Sequence, residues 1–170
     1  MRRFLKCGWG VSARDLRVVP YPHGAGGAAE RHVRQKYPNE LTALRARHAK
    51  TILITVVDAA DGTVRAHHED LNRACREAQP AVGIRQPDEP VIHVIPKWHI
   101  ETWLAYLDGI PVSEDEQYKA SHAFAKCESE CHPLVDGLAT KCRNKEPLAN
   151  PPSSLSQACT EFDRIRELLS

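Results

Sequence analysis

The sequence predicts an α/β fold: a small, mainly parallel sheet flanked by helices, with a helical C-terminal subregion. Three observations carry this. Thr51–Val57 (Thr-Ile-Leu-Ile-Thr-Val-Val) is a continuous β-branched and aliphatic run that ends abruptly in Asp58, Asp61 and Gly62. Such a run fits a strand covered on both faces. Val91–Ile95 (Val-Ile-His-Val-Ile) repeats the pattern and is stopped by Pro96. Between them Val64, His67 or His68, Leu71, Cys75 and Ala78 recur at helical spacing, as in the crossover helix of a βαβ unit.

The remaining elements follow in order. Leu16–Tyr21 reads as a short strand ended by Pro20 and Pro22. The loop His23–Gly27 leads into a helical stretch from about Ala28 to Lys36. Pro38 is expected to break this helix, with Asn39 capping a restart that points Leu41 and Leu44 inward. Residues 79–90, with Pro80, Gly83, Pro87 and Pro90, form a loop. Ile100, Trp103, Leu104 and Leu107 mark a helix closed by Gly109. Ser113 and Glu116 make a capping box for a helix carrying Ala120, Phe124, Cys127 and Cys131 on one face. Residues 143–153 form a proline-rich linker. Ser154 with Gln157 opens a terminal helix with Leu155, Cys159, Phe162, Ile165 and Leu169 inward. The organisation is therefore an α/β core over residues 1–110 and a helical subregion, 111–170, packed on it.

Composition limits the function classes. At 170 residues, 42% hydrophobic and 26% charged, the chain has the profile of a globular domain with its own core. No apolar run approaches the ~20 residues of a membrane-spanning helix. The opening Met-Arg-Arg-Phe-Leu-Lys-Cys-Gly is too poor in apolar residues for a secretory signal, so a cytoplasmic location is expected. The net charge of +1 hides an asymmetry. Residues 1–50 hold 11 Lys/Arg against 3 Asp/Glu, and residues 51–170 hold 12 against 19, so the two parts carry +8 and −7. A basic segment suits phosphate contacts, and oppositely charged halves also simply attract each other.

Six cysteines are present, and Cys127-x3-Cys131-His132 with Cys142 forms their one cluster. The close Cys-x2-Cys pairs of zinc ribbons are absent, and the spacing suits small buried thiols on a helix face as well as a metal. His23-Gly-Ala-Gly-Gly27 places glycines between a strand and a helix. It fits neither the dinucleotide fingerprint nor the phosphate-loop pattern, which favours a plain connection.

The acids Asp58, Asp61 and Glu101 stand at or near the ends of the two best strands, where open α/β sheets bind ligands. Convergent carboxylates hold hard divalent cations, and such clusters serve phosphodiester chemistry. Structural alternatives exist for two of them. Asp61 is placed to cap the following helix, and Glu101 lies in a first helical turn where the macrodipole favours an acid. Asp58 has the weakest such alternative, since an acid directly after a buried run must be solvated or paired. In Pro96-Lys-Trp-His-Ile-Glu-Thr-Trp103, Lys97 and His99 are candidates for phosphate contact or proton donation, and Trp98 for base stacking. Trp103, at helical spacing with Ile100 and Leu107, reads as core.

The combination of Leu-Ile-Thr-Val-Val-Asp58-Ala-Ala-Asp61-Gly62, a crossover helix, and Ile95-Pro96-Lys97-x-x-Ile100-Glu101-Thr102-Trp103 resembles Toprim-like proteins. It is nearest to bacterial ones related to the overcoming-lysogenization-defect nucleases. The resemblance spans roughly residues 10–110, and Pro-Pro-Ser-Ser-Leu-x-x-Ala near 151–158 is also similar. It implies a compact parallel sheet whose acids bind Mg²⁺, or Mn²⁺, for cleaving or forming nucleic-acid phosphodiesters. Asp58, Asp61 and Glu101 would be the metal ligands, with Lys97 beside them in catalysis. The +8 charge of the first third points to Arg31, Arg34, Arg45 and Arg47 as contacts to DNA or RNA, with His99 joining them from the sheet end. Two departures are visible. Arg2-Arg3-Phe4-Leu5 matches the end of the family's first helix, so its first strand and glutamate are expected to be missing. Ala60 stands where the family has its second aspartate, with Asp61 one place later. The leading expectation is a Toprim-type Mg²⁺-dependent phosphodiesterase, with a non-catalytic nucleic-acid or protein binding module of the same fold as the alternative.

Overall fold

A computed structural model describes residues 1–19, 29–47, 50–118 and 128–169. The chain runs α1 (Arg2–Trp9), a 3-10 turn (Ala13–Asp15), α2 (Ala29–Arg45), β1 (Leu53–Val56), α3 (Val64–Glu77), β2 (Val91–Val94), α4 (Ile100–Leu107), a second 3-10 turn (Glu128–Cys131), α5 (His132–Asn144) and α6 (Ser153–Leu169). The fold is α/β, as predicted. β1 and β2 pair in parallel, from Leu53 opposite Val91 to Val56 opposite Val94, with α3 as the crossover. No helix among the described residues is long and apolar enough to cross a membrane.

Strand alternation divides the core. Val91 faces α2 and α3, where it packs with Tyr37, Leu41, Leu44, Leu71 and Cys75. Ile92 and Val94 face the opposite way, onto Phe4, Trp103, Leu138, Leu155 and Phe162 from α1, α4, α5 and α6. Each such side chain gains roughly 1.5–3 kcal/mol by leaving water. The first helix thus shares one core with the last two: Phe4 and Phe162 lie 5.0 Å apart, and a Cβ on Gly8 would sit 3.4 Å from the Ala139 carbonyl. α5 and α6 pack on α1 through this contact.

The two strands are unequally covered. Every residue of β2 is buried, whereas β1 leaves Val56 46% exposed. The expectation of a strand covered on both faces is met by β2 and corrected for β1. β1 lies at the edge of the described sheet, while β2 has helix on its far side. There Arg85 and Arg164 donate to the Val91 carbonyl and pair with Glu161 of α6. These groups satisfy an edge that would otherwise template another strand.

Several local expectations are corrected. Leu16–Val19 is not a strand. The turn before it is closed by Ser12, whose hydroxyl accepts from the Arg14 N–H, and by Asp15, whose carboxylate accepts from the Ser12 N–H and hydroxyl. Pro38 lies inside a continuous α2. Its missing N–H removes one helical bond, but Tyr37, Pro38, Leu41 and Leu44 are all buried, and packing outweighs that local cost. Thr63, not Asp61, caps α3, its hydroxyl accepting from the Ala66 N–H at 3.1 Å. Residues 113–118 are not helical, and α5 occupies 132–144, where no helix was expected. Ser154 lies inside α6, one residue past its start. The glycine loop His23–Gly27 and the face Ala120, Phe124 and Cys127 lie outside the described residues.

Candidate functional site

The site builds from the C-terminal ends of the two strands. Beyond β1, Ala59 N–H donates to the Pro96 carbonyl at 2.8 Å and Ala60 N–H to the Trp98 carbonyl at 3.2 Å. Ala60 and Trp98 face each other as an isolated antiparallel bridge, both at positive φ, 47° and 61°. Non-glycine residues adopt that region only when their surroundings hold them there. Lys97 supplies part of the restraint. Its ammonium donates to the carbonyls of Gly62 at 2.6 Å, Asp61 at 3.3 Å and Ala60 at 3.5 Å, and lies 4.5 Å from the Trp98 ring centre. An ammonium has three protons, and three carbonyls engage them. Lys97 is therefore a clamp on the loop.

From below, His67 donates its Nε2–H to the Ala59 carbonyl at 3.0 Å. The carbonyl can only accept, so the proton is on Nε2. Gly62 fits over this contact because it has no side chain: a Cβ there would lie 3.0 Å from both the Ala59 oxygen and His67 Nε2. On the other flank the Trp98 indole donates to the Glu114 carbonyl at 2.9 Å. Glu114 also accepts from the Ser154 N–H at 2.9 Å and from the Ser154 hydroxyl. A carboxylate from 40 residues upstream thus serves the first turn of α6, in the place expected for a Ser154–Gln157 box. The Ser154 oxygen in turn accepts from Trp103 at 2.8 Å and from the Lys97 N–H at 3.2 Å.

On this frame Asp58 is 45% exposed at its side chain and meets His99 Nδ1 at 3.3 Å. Asp61 is exposed on the loop, and Glu101 is half-buried in the first turn of α4. Asp58, Asp61 and Glu101 do not bring three ligand oxygens within 4.8 Å of one another. As placed, they do not fit a three-carboxylate Mg²⁺ or Mn²⁺ centre, which needs its oxygens about 2.0–2.2 Å from one ion.

The expected nucleic-acid contacts separate into two groups. Arg34 meets Asp70 at 3.3 Å and Glu30 at 3.5 Å. Arg45 pairs with Glu89 and donates to the Gly83 and Ile84 carbonyls at 2.8 and 2.9 Å. The Arg45 bond also holds the Glu89 carboxyl below its ordinary range. Arg31 and Arg47 are exposed and make no ion pair with a described residue. His99 lies with Asp58 at the sheet end.

Three groupings escaped the sequence reading. His93 in β2 is buried, with Nδ1 at 2.7 Å from the Thr55 hydroxyl and Nε2 at 3.4 Å from the Tyr37 hydroxyl. Burial pushes its pKa down to about 2, and the same cause lowers that of His68 beside it. Cys142 and Cys159 bring their sulfurs to 3.7 Å between α5 and α6. Glu30, His67 and Asp70 gather ligand atoms within 4.8 Å between α2 and α3. The i, i+3 spacing of His67 and Asp70 was readable, but their meeting with Glu30 depends on how two helices pack. No family model, curated protein or solved structure matches this chain.

Proposed function

We propose that this chain is a Toprim-like module that keeps the strand–helix–strand core and binds nucleic acid without cleaving it. The observation that carries this reading is the dispersal of Asp58, Asp61 and Glu101, which leaves a two-metal or three-carboxylate centre unassembled. The engagement of Lys97 with three loop carbonyls supports it, because the ammonium is not directed at a substrate. Binding falls to the basic first third, through Arg31 and Arg47, with Arg45 holding the fold and Arg34 engaged by Glu30 and Asp70. We place the protein in the cytoplasm on this reading.

A second reading, the Mg²⁺- or Mn²⁺-dependent phosphodiesterase, is favoured by the Asp58–His99 pair at the C-terminal end of a parallel sheet. In it a divalent ion would neutralise phosphate charge at Asp58.

The test is binding of a labelled DNA duplex and a labelled single-stranded RNA at rising salt, alongside a cleavage assay with Mg²⁺ and Mn²⁺. Each phosphate contact adds about 0.9 to the slope of log affinity against log salt on a duplex. Reversing Arg31 and Arg47 together to Glu should lower that slope by about 2. Binding unaffected by salt and by this double variant rejects the nucleic-acid reading and leaves a protein partner. Metal-dependent cleavage abolished by Asp58→Asn would establish the phosphodiesterase instead.

A further inference from the structure

A second cluster, away from the sheet end, has the chemistry of a metal site. Glu30 lies in the first turn of α2, and His67 and Asp70 stand three residues apart on α3. Their ligand atoms all lie within 4.8 Å of one another. The His67 side chain is only 9% exposed. Its Nε2–H is given to the Ala59 carbonyl, which leaves Nδ1 turned towards Glu30 Oε1 at 3.7 Å. That separation is too long for a hydrogen bond. A lone pair facing carboxylate oxygens is repelled unless a proton or cation lies between them.

A histidine whose outer nitrogen is held by a backbone carbonyl, with the inner one turned to carboxylates, is the arrangement that orients metal-ligating imidazoles. Arg34 meets both acids, 3.3 Å from Asp70 and 3.5 Å from Glu30, and Arg73 pairs with the other Asp70 oxygen. Well-made charge-assisted bonds run about 2.7–2.9 Å, so the Arg34 guanidinium bridges both acids loosely. It is 35% exposed, at the end of an open groove of about 600 Å³ between α2 and α3.

We propose that Glu30, His67 and Asp70 form a site for a first-row divalent cation of the Zn²⁺ class, with Arg34 as its displaceable occupant. One imidazole nitrogen and two carboxylates select such ions over Mg²⁺, which prefers oxygen alone. The site does not use Asp58 and stands apart from the function proposed above. Through the His67–Ala59 bond, an ion there would brace the loop that carries Asp58 and Asp61.

The experiment is a Co²⁺ titration of the full chain followed by visible absorption, with Zn²⁺ as competitor and circular dichroism as a check on folding. Wild type should develop visible bands at one equivalent, displaced by Zn²⁺. Asp70→Asn and His67→Gln should each weaken binding at least tenfold, and Arg34→Gln should tighten it several-fold. His67→Gln alters a buried group, so Asp70→Asn, half-buried on the surface, keeps the test decisive if the first variant misfolds. Asp58→Asn should leave the bands unchanged. The proposal is overturned if wild type gives no bands. It is equally overturned if Asp70→Asn binds as well as wild type, or if an intense near-ultraviolet thiolate band shows that cysteines hold the ion.

Discussion

Two sets of acids among the described residues are built in opposite ways. At the sheet end, Asp58, Asp61 and Glu101 come from a strand terminus, a loop and a first helical turn, and they stay dispersed. Between α2 and α3, Glu30, His67 and Asp70 come from two packed helices, and they converge. A lysine clamp holds the strained backbone of the first region without gathering its carboxylates. Helix packing gathers the second without any unusual backbone. Whether ligand atoms converge thus depends on the spacing between elements, which the end of a strand does not set by itself.

The pH response offers the largest effect by which to probe the helix–sheet side of this contrast. His93 is uncharged in the fold, its pKa depressed by burial to about 2, against an ordinary value near 6.5. Between those values the unfolded chain holds a proton that the native state does not. Stability is therefore complete above pH 6.5 and is lost as pH falls towards 2. His68, lowered by the same cause, adds in the same direction. A loss of about 2 kcal/mol is expected from His93 between pH 6.5 and 4.5. Urea unfolding across that range measures it. His93→Gln should flatten the curve, and an unchanged slope would show that other groups carry it.

Lys97→Met tests the sheet end itself. The variant keeps the stem of the side chain but leaves the carbonyls of Ala60, Asp61 and Gly62 without their donor. A loss of about 1 kcal/mol is expected by thermal or chemical melting, since water can reach these carbonyls. Full stability with altered nucleic-acid cleavage would instead make Lys97 a group acting on substrate.

The smallest effect is expected at Asp58. Its side chain is 45% exposed, and it meets His99 at 3.3 Å. Asp58→Asn should change stability by less than about 0.5 kcal/mol, with no added effect of millimolar Mg²⁺ or Mn²⁺ on the melting temperature. A metal-dependent rise in wild type that disappears in the variant would place an ion at the sheet end and erase the contrast.

What the sequence determined by itself was the part governed by local patterning. The apolar runs ending at Val57 and Ile95 specify two strands, since their length and β-branching leave no amphipathic helical face. The 3.6-residue recurrence of His67, Leu71 and Cys75 specifies the crossover between them, and all three are buried. Together these require a parallel pair. Tertiary structure alone decided the rest. Pro38 stays helical because the residues around it are buried, which no local rule registers. Glu114 rather than Ser154 serves the start of α6 because the two meet across 40 residues. Lys97 became a clamp and Glu30 met His67 and Asp70 for the same reason. Hydrogen bonds and ion pairs act over about 3–4 Å, and which side chains come that close is set by how whole helices seat on the sheet.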